Sequence, residues 1–181
     1  MAAIVRYTPM RFAKILLGVA ATSLVGCSIP MAAPSPGPVA HPETGGSYAS
    51  MEARIFELIN AERARHGLRA LDWNERLDRA AKIQAQNMAR LRKLSHTLPE
   101  SDLPTLSRRA QYVGYPFGRI AENIALGYPN AESVVQGWMA SPGHRKNILN
   151  QDVVDAGLAV ARSSSGRLYY CQVFGTQLSS L

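Results

Sequence analysis

The stretch from Arg167 to Phe174 constrains the fold of this chain more than any other, because as a strand it is apolar on both faces. Successive side chains of a strand point to opposite sides of a sheet. One side carries Tyr169, Cys171 and Val173, and the other carries Leu168, Tyr170 and Phe174. Such a strand belongs in the centre of a sheet that is covered on both faces. The sequence therefore predicts a layered domain with a β-sheet in its middle.

The segments before this strand predict the covering layers and the remaining strands. Apolar residues at helical spacing predict a first helix from near Tyr48 to a stop at His66 and Gly67, and a second from about Asn74 to Leu94. A weaker helix over Pro104 to Tyr112 and a strand over Arg119 to Leu126 come next. A helix over Ala131 to Ala140, capped by Asn130, is followed by a short helix that Ser141 and Pro142 open. A strand over Ala156 to Arg162 is then joined to the last strand by a hairpin at Ser163 to Gly166. This order predicts an α+β layered domain.

The first 26 residues have the parts of a secretory signal. Arg6, Arg11 and Lys14 are basic, and no acidic residue precedes Glu43. The apolar run from Ile15 to Gly26 has twelve residues. As a helix it would rise about 18 Å, which is short of the roughly 30 Å of hydrocarbon that a spanning helix must cross. We therefore expect a cleaved signal peptide and not a permanent membrane span.

The apolar run ends in Leu24-Val25-Gly26-Cys27, which resembles the bacterial lipobox. That resemblance implies cleavage before Cys27 and acylation of this cysteine, with palmitate as one such chain. Two or more acyl chains anchor a protein stably without a protein span. Ser28 stands where an aspartate tends to retain lipoproteins in the inner membrane, so we expect an outer membrane if the cell has one. The alternative is an ordinary signal peptide with an incidental cysteine.

The chain thus divides into a signal peptide (residues 1–26), an acylated N-terminus with a tether (27–47) and one domain (48–181). The tether is dense in Pro, Gly and Ala and cannot bury enough apolar surface to fold. Loss of the signal removes three of the 20 basic residues and none of the 13 acidic ones, so the net charge falls from +7 to about +4. With Cys27 acylated, Cys171 has no intramolecular partner, and the domain must rest on its apolar core.

Basic residues cluster at two places in the predicted domain. They are Arg90, Arg92, Lys93, Arg108 and Arg109. Either they face acidic polymers or lipid headgroups, or they are solvated faces of helices, which is the interpretation that we favour. No aromatic interleaving or nucleic-acid motif accompanies them, so we expect no nucleic-acid partner.

Two histidines and one glutamate are the candidates for chemistry. His41 lies in the tether and His66 at a helix end, which leaves His96 and His144. Glu122 lies in a predicted strand between apolar neighbours, where a carboxylate needs partners. Two imidazoles and a carboxylate that converge would hold a divalent metal with open positions. Spacing alone also allows hydrogen-bonded histidines in separate places.

Five blocks resemble, in order and spacing, bacterial members of the CAP superfamily, also called the SCP domain. They are IFELINAERARHGLRAL, LDRAAKIQAQNMARLRKLSH, AENIALG, VVQGWMASPGHRKNIL and DAGLAVARSSSGRLYYCQVFG, between Tyr48 and about Thr176. The resemblance implies an α-β-α sandwich with a central antiparallel sheet. It also implies a cleft in which two histidines and two glutamates can hold zinc or another divalent metal.

Carried over by this resemblance, the first histidine is His96, the first glutamate Glu122 and the second histidine His144. The second glutamate is replaced by Ser141, which counts against any mechanism that needs a carboxylate pair. The cleft would then be formed by His96, Glu122, Ser141 and His144, with the histidines as metal ligands and Glu122 nearby.

Some residues invite more than one interpretation. Ser141 and His144 suggest a nucleophile and its base, but a serine before Pro-Gly at a helix start favours an N-cap. Cys171 in an apolar central strand favours a buried thiol over a nucleophile. Asn60 and Arg63 match a family block and favour structural roles. For Tyr112, Tyr115 and Tyr128 both a cleft rim and a cover for the core stay open.

Three functions of different classes follow. The first, which we favour, is a lipid-anchored extracytoplasmic module of the cell envelope that binds a lipid, glycan or protein and is not an enzyme. The second is a metal-assisted hydrolase of an envelope substrate, with an ion on His96 and His144 and Glu122 as base. A third, purely structural role predicts that replacing both histidines changes nothing.

Overall fold

A computed structural model describes residues 2–6 and 48–178. The apolar run of the predicted signal, Cys27 with its predicted acylation, and the predicted tether with His41 lie outside the described residues. Residues 2–6 fall within the predicted signal peptide and are placed as a strand. The cleavage and lipid anchoring predicted for this part of the chain stay predictions.

The sheet has five strands among the described residues, with the last strand near its centre. The strands are β1 (Ala2–Arg6), β2 (Asp72–Trp73), β3 (Phe117–Leu126), β4 (Asp155–Arg162) and β5 (Leu168–Gln177). Their order is β1-β3-β5-β4-β2, and neighbours are antiparallel except β2 and β4, which are parallel. β5 is flanked on both sides, as its apolar faces predict.

Helices cover both faces of this sheet. They are α1 (Ala49–Arg65), α2 (Glu75–Leu91), α3 (Leu106–Tyr112), α4 (Ala131–Ala140) and α5 (Pro142–Ile148). One core cluster joins α1, α4 and α5 to one face of the sheet, and the other joins α2 and α3 to the opposite face. Tyr170 and Phe174 of β5 lie in the first cluster, whereas Tyr169, Cys171 and Val173 lie in the second. The α-β-α sandwich is therefore confirmed.

The second helix ends three residues earlier than its apolar pattern predicts. Arg92 adopts a left-handed backbone conformation, with φ at 53° and ψ at 36°, and its amide bonds back to Ala89 O. This terminates α2 after Leu91 and turns the chain out of the helix. The early turn releases the loop that carries His96 toward the end of β3.

Candidate functional site

A cavity of about 500 Å³ lies between the loop after α2, the end of β3, α4 and the start of α5. Its volume is in the range of ordinary small-molecule sites. The described residues that line it are Leu94, Ser95, His96, Thr97, Ile124, Ala125, Leu126, Tyr128, Gly137, Trp138, Ser141 and His144. None of these is Asp, Glu, Lys or Arg. The cavity thus combines an apolar wall with hydroxyl and imidazole groups.

His96 is the first residue of a hydrogen-bonded chain that runs into the core. Its Nδ1 lies 2.8 Å from Glu122 Oε1, and Arg109 Nη2 donates to Glu122 Oε2 at 2.6 Å. Glu122 and Arg109 both have side chains that are 0% exposed. Since an arginine only donates, Glu122 Oε2 accepts from Arg109, and Nδ1 of His96 is placed to donate to Oε1. This orients the His96 ring with Nε2 directed away from Glu122.

A thiol completes the surroundings of the buried carboxylate. Cys171 Sγ donates to Glu122 Oε2 at 3.4 Å. Burial raises the pKa of the Cys171 thiol well above its usual value, and the Glu122 charge raises it further. The thiolate is disfavoured, which agrees with the prediction of a buried, unreactive cysteine.

Glu122 does not line the cavity, although the resemblance places it in the cleft. Its two oxygens are occupied by His96, Arg109 and Cys171, and its side chain is fully buried behind His96. A general base must reach a proton of the bound substrate. Glu122 is therefore placed to orient His96, and the imidazole is the group that borders the cavity.

Arg109 is the functional residue that the sequence interpretation missed. The sequence groups Arg109 with Arg108 among basic residues expected at the surface, and this prediction is wrong for Arg109, which is fully buried. Leu106, Arg109 and Ala110 are the buried residues of α3, and Arg109 follows Leu106 by three positions, so these two share the inward face of the helix. Two signals in the sequence together could have identified Arg109: the buried Glu122 needs a cationic partner, and Arg109 lies on the apolar face of α3.

His144 reaches the cavity from the opposite layer of the sandwich. Because strand residues alternate, Asn123 faces α5 while Glu122 faces α3. Asn123 Nδ2 donates to His144 O at 3.1 Å, and Asn147 Nδ2 donates to Asn123 Oδ1 at 2.9 Å. Both asparagines are fully buried. Two adjacent residues of β3 thus hold the two histidine-bearing segments, one on each side of the sheet.

Ser141 occupies the N-cap position of α5, with φ at −93° and ψ at 117°, but its side chain makes no capping hydrogen bond there. The expected hydroxyl cap is therefore not formed, in contrast to Asn74, whose Oδ1 accepts from two amides of α2. The Ser141 side chain lines the cavity instead.

The three tyrosines with open interpretations differ from one another. Tyr128 lines the cavity and lies against α4, where a Cβ on Gly137 would come within 2.6 Å of its Cζ. Tyr115 is buried and donates to Asp155 Oδ2 at 2.7 Å. Tyr112 is 72% exposed. Only Tyr128 belongs to the cavity among these three.

The remaining candidates are structural. Buried Arg63 donates to the carbonyls of residues 69, 148, 150 and 153, so it joins α1 to the segment after α5. Asn60 exchanges hydrogen bonds with the backbone of Leu71 in both directions. His66 is exposed at the end of α1, and Arg145 Nη2 lies 2.9 Å from its Nε2.

The donor set of the cavity does not fit a zinc site with three protein ligands. Catalytic zinc takes three protein ligands and a water. His96 and His144 line the cavity, but the Glu122 carboxylate is committed to Arg109 and His96. Within residues 2–6 and 48–178, no group of three His, Cys, Asp or Glu side chains is placed to hold an ion. At most the two histidines would bind a metal, and zinc on this pair stays a prediction.

Comparison with known proteins places most of the predicted domain in one family. The family model described as "CAP: Cysteine-rich secretory protein family" matches residues 56–174. The uncharacterized protein YkwD of Bacillus subtilis is 35% identical over 119 residues, which is 66% of this chain and 46% of that protein. The chain therefore spans less than half the length of this relative.

Solved structures agree with this match. An extracellular protein containing an SCP domain from Bacillus anthracis has a TM-score of 0.63 and 32% identity, over 71% of this chain and 41% of that one. An outer surface protein from Borrelia burgdorferi has a TM-score of 0.68 and covers 74% of this chain and 97% of that one. At 22% identity, the latter supports the fold alone.

Proposed function

This chain belongs to the CAP family of cysteine-rich secretory proteins and is of the extracellular type, and from that premise we propose that it is a ligand-binding module of the cell envelope, held to a membrane by lipid on Cys27. The described residues form no helix that is long and apolar enough to cross a membrane. The lipobox supplies the anchor, and the domain binds a lipid, glycan or protein group outside the cytoplasm.

The observation that carries this proposal is the chemistry of the cavity walls. Ile124, Leu126 and Trp138 offer apolar surface, and His96 and His144 offer imidazoles. Small-molecule sites have this composition, a mainly apolar lining with a few polar groups that orient the ligand. The fitting ligand carries an apolar group and a hydrogen-bonding group beside it.

The surroundings of Glu122 favour binding over hydrolysis. The hydrolase hypothesis assigns Glu122 as the base that activates water. Its carboxylate is buried behind His96 and bonded to Arg109, so it has no direct access to a bound substrate. His96 would have to act as the base itself.

Trp138 provides a reporter for the test. The chain has two tryptophans, Trp73 and Trp138, so Trp73→Phe leaves one in the cavity wall. The neutral apolar dye N-phenyl-1-naphthylamine should quench Trp138 with saturation. Gly137→Ala, which forces the Tyr128 ring to move, should weaken this binding at least tenfold. Gln136→Ala, on the exposed side of the same helix, is the matched control and should leave it unchanged.

Competition and turnover then separate the function classes. Phospholipid, soluble peptidoglycan fragments and peptides are each tested for displacement of the dye. Ester, peptide or peptidoglycan turnover that is lost in both His96→Ala and Glu122→Ala would replace the binding proposal with the hydrolase. Non-saturable dye quenching, equal in Gly137→Ala and Gln136→Ala, would also contradict it.

Two further measurements test the anchor and the metal. Intact mass of the protein from membranes should give an acylated chain that begins at Cys27. Metal analysis of the purified protein, with His144→Ala as the comparison, tests zinc on the histidine pair. Stoichiometric zinc that this substitution removes would establish it, and a metal-free native protein would end that prediction.

A further inference from the structure

Removal of the predicted signal peptide would change the edge of the sheet beside the cavity. β1 pairs with β3 over five residues, with Ala2 opposite Asn123 and Arg6 opposite Arg119. β1 is the outermost strand on that side. It lies within the predicted signal peptide, so cleavage before Cys27 leaves β3 at the edge. Such a strand presents a row of backbone donors and acceptors that can pair with another chain.

Alternate residues of β3 direct their backbone groups to this edge. The amide of Gly127 donates to Leu168 O at 2.8 Å, on the side of β5. Since neighbouring residues of a strand point their amides and carbonyls to opposite sides, the outward groups are those of Ile120, Glu122 and Ile124. Ala3 lies opposite Glu122 and therefore directs its own amide toward β3.

Side chains of the helices confirm this assignment. Asn147 Nδ2 donates to Glu122 O at 3.3 Å, and Trp138 Nε1 donates to Ile124 O at 3.4 Å. Both carbonyls belong to residues assigned to the outer edge. A carbonyl oxygen has a second lone pair, so these contacts steady the edge and leave it able to accept from a strand.

The edge runs directly into the cavity. The N-terminal residue of β1, Ala2, lies opposite Asn123. The next three residues of β3, Ile124–Leu126, line the cavity wall. Consider an antiparallel strand in the register of β1. If its chain extends beyond the position of Ala2, toward its own N-terminus, it meets this wall. It then lies in the same space that His96 and His144 border.

We propose that in the processed protein the β3 edge and the cavity form one site for an extended polypeptide of a partner protein. The peptide pairs antiparallel with residues 119–123 and places apolar N-terminal residues in the cavity. β1 supports this, because an extended backbone of this chain already takes that register. Pairing supplies affinity and the cavity supplies selectivity, as in other cases of strand addition. The inference rests on the proposed binding function and names its ligand class.

The test uses the protein purified from membranes after processing, with residues 1–26 shown by intact mass to be absent. The probe is the peptide MAAIVRY, which has the sequence of residues 1–7. At saturation it should slow hydrogen exchange at the amides of Ile120 and Glu122 at least tenfold, as measured by NMR. It should also change the fluorescence of Trp138 in the Trp73→Phe variant.

Two methylated peptides provide the matched pair. N-methylation at Ala3 removes an amide that faces β3 and should weaken binding at least tenfold. N-methylation at Ile4, which lies opposite Ala121, removes an amide that faces away and should change binding less than threefold. Equal effects of the two modifications would overturn the assigned register and the proposal with it.

The remaining outcomes are equally decisive. Retention of residues 1–26 overturns the inference, because β1 then covers the edge. Slow exchange at Ile120 and Glu122 without peptide also overturns it. Sedimentation would then show whether a second copy or the protein's own tether is the occupant. If the dye binds the cavity but the peptide does not, this inference fails and the proposed function stands. If neither binds, both fail.

Discussion

Replacement of Arg109 by methionine should be among the most destabilising single substitutions on α3. Methionine retains much of the apolar volume but removes the guanidinium, which donates to Glu122 Oε2 at 2.6 Å and to two loop carbonyls at 3.4 and 3.5 Å. The Glu122 side chain is then left at zero exposure without its guanidinium partner, and His96 and Cys171 are the other side chains of the described residues that bond to it. Breaking a buried ion pair in this way costs about 3–5 kcal/mol.

The measurement is urea unfolding at 25 °C and pH 7, followed by far-ultraviolet circular dichroism. Arg108→Met is the matched control, because Arg108 is exposed on the same helix, and it should change stability by less than about 0.5 kcal/mol. In a Glu122→Gln background, Arg109→Met should cost at least about 2 kcal/mol less than in the native chain, since no buried charge is abandoned. Equal costs in the two backgrounds would refute the assignment of Arg109 as the counterion of Glu122.

Three further predictions concern packing, capping and pH. Gly157→Ala should lower the free energy of unfolding in urea by about 3 kcal/mol, because the added Cβ would lie 2.5 Å from the Cα of Asp78 in the backbone of α2. A loss below about 1 kcal/mol would contradict this contact. Asn74→Ala should lower the free energy of unfolding by about 1 kcal/mol, because the Asn74 side chain accepts two amide hydrogen bonds. Ser141→Ala should lower it by less than about 0.5 kcal/mol. The reverse order would be inconsistent with the observed caps. Burial, with the charges of Glu52 and Glu75, raises the pKa of Asp78 from 3.8 to about 6, so its ionised form opposes folding above pH 6 and this cost is relieved as pH falls toward 4. Asp78→Asn should therefore stabilise by about 1 kcal/mol at pH 8, a value reduced for its partial exposure, and by nothing near pH 4; a gain of the same size at both pH values would rule out ionisation as its cause.

The elements of the domain follow from local patterns, and the errors lie where local patterns are weakest. Helical spacing predicts α1, α2 and α4, and the turn at Gly166 predicts the β4–β5 hairpin. The two-residue strand β2 escapes prediction because two residues carry no periodicity. The end of α2 is misplaced because the left-handed conformation of Arg92 is adopted by a residue whose type does not favour it.

In the candidate site, too, the sequence identifies some residues correctly but not the positions that they take in the fold. His96 and His144 are found by chemistry and by resemblance, and the cavity contains both. The position of Glu122 behind His96 depends on which side of β3 faces α3, and the sequence offers no distance across layers. Ser141 sits where an N-cap is expected, but its hydroxyl makes no cap, a choice that depends on the geometry of the turn.

By itself the sequence determines the α+β class, the central place of β5 and the buried state of Cys171, because these depend on alternation and composition over a few residues. It also carries the signal and lipobox patterns at the N-terminus. The tertiary structure alone decides that Arg109 neutralises Glu122, that Glu122 orients His96, and that the two histidines border one cavity. The Arg109–Glu122 and His96–Glu122 hydrogen bonds join residues 13 and 26 positions apart, and His96 and His144 are 48 positions apart in the chain. Only the packing of the layers brings these side chains together.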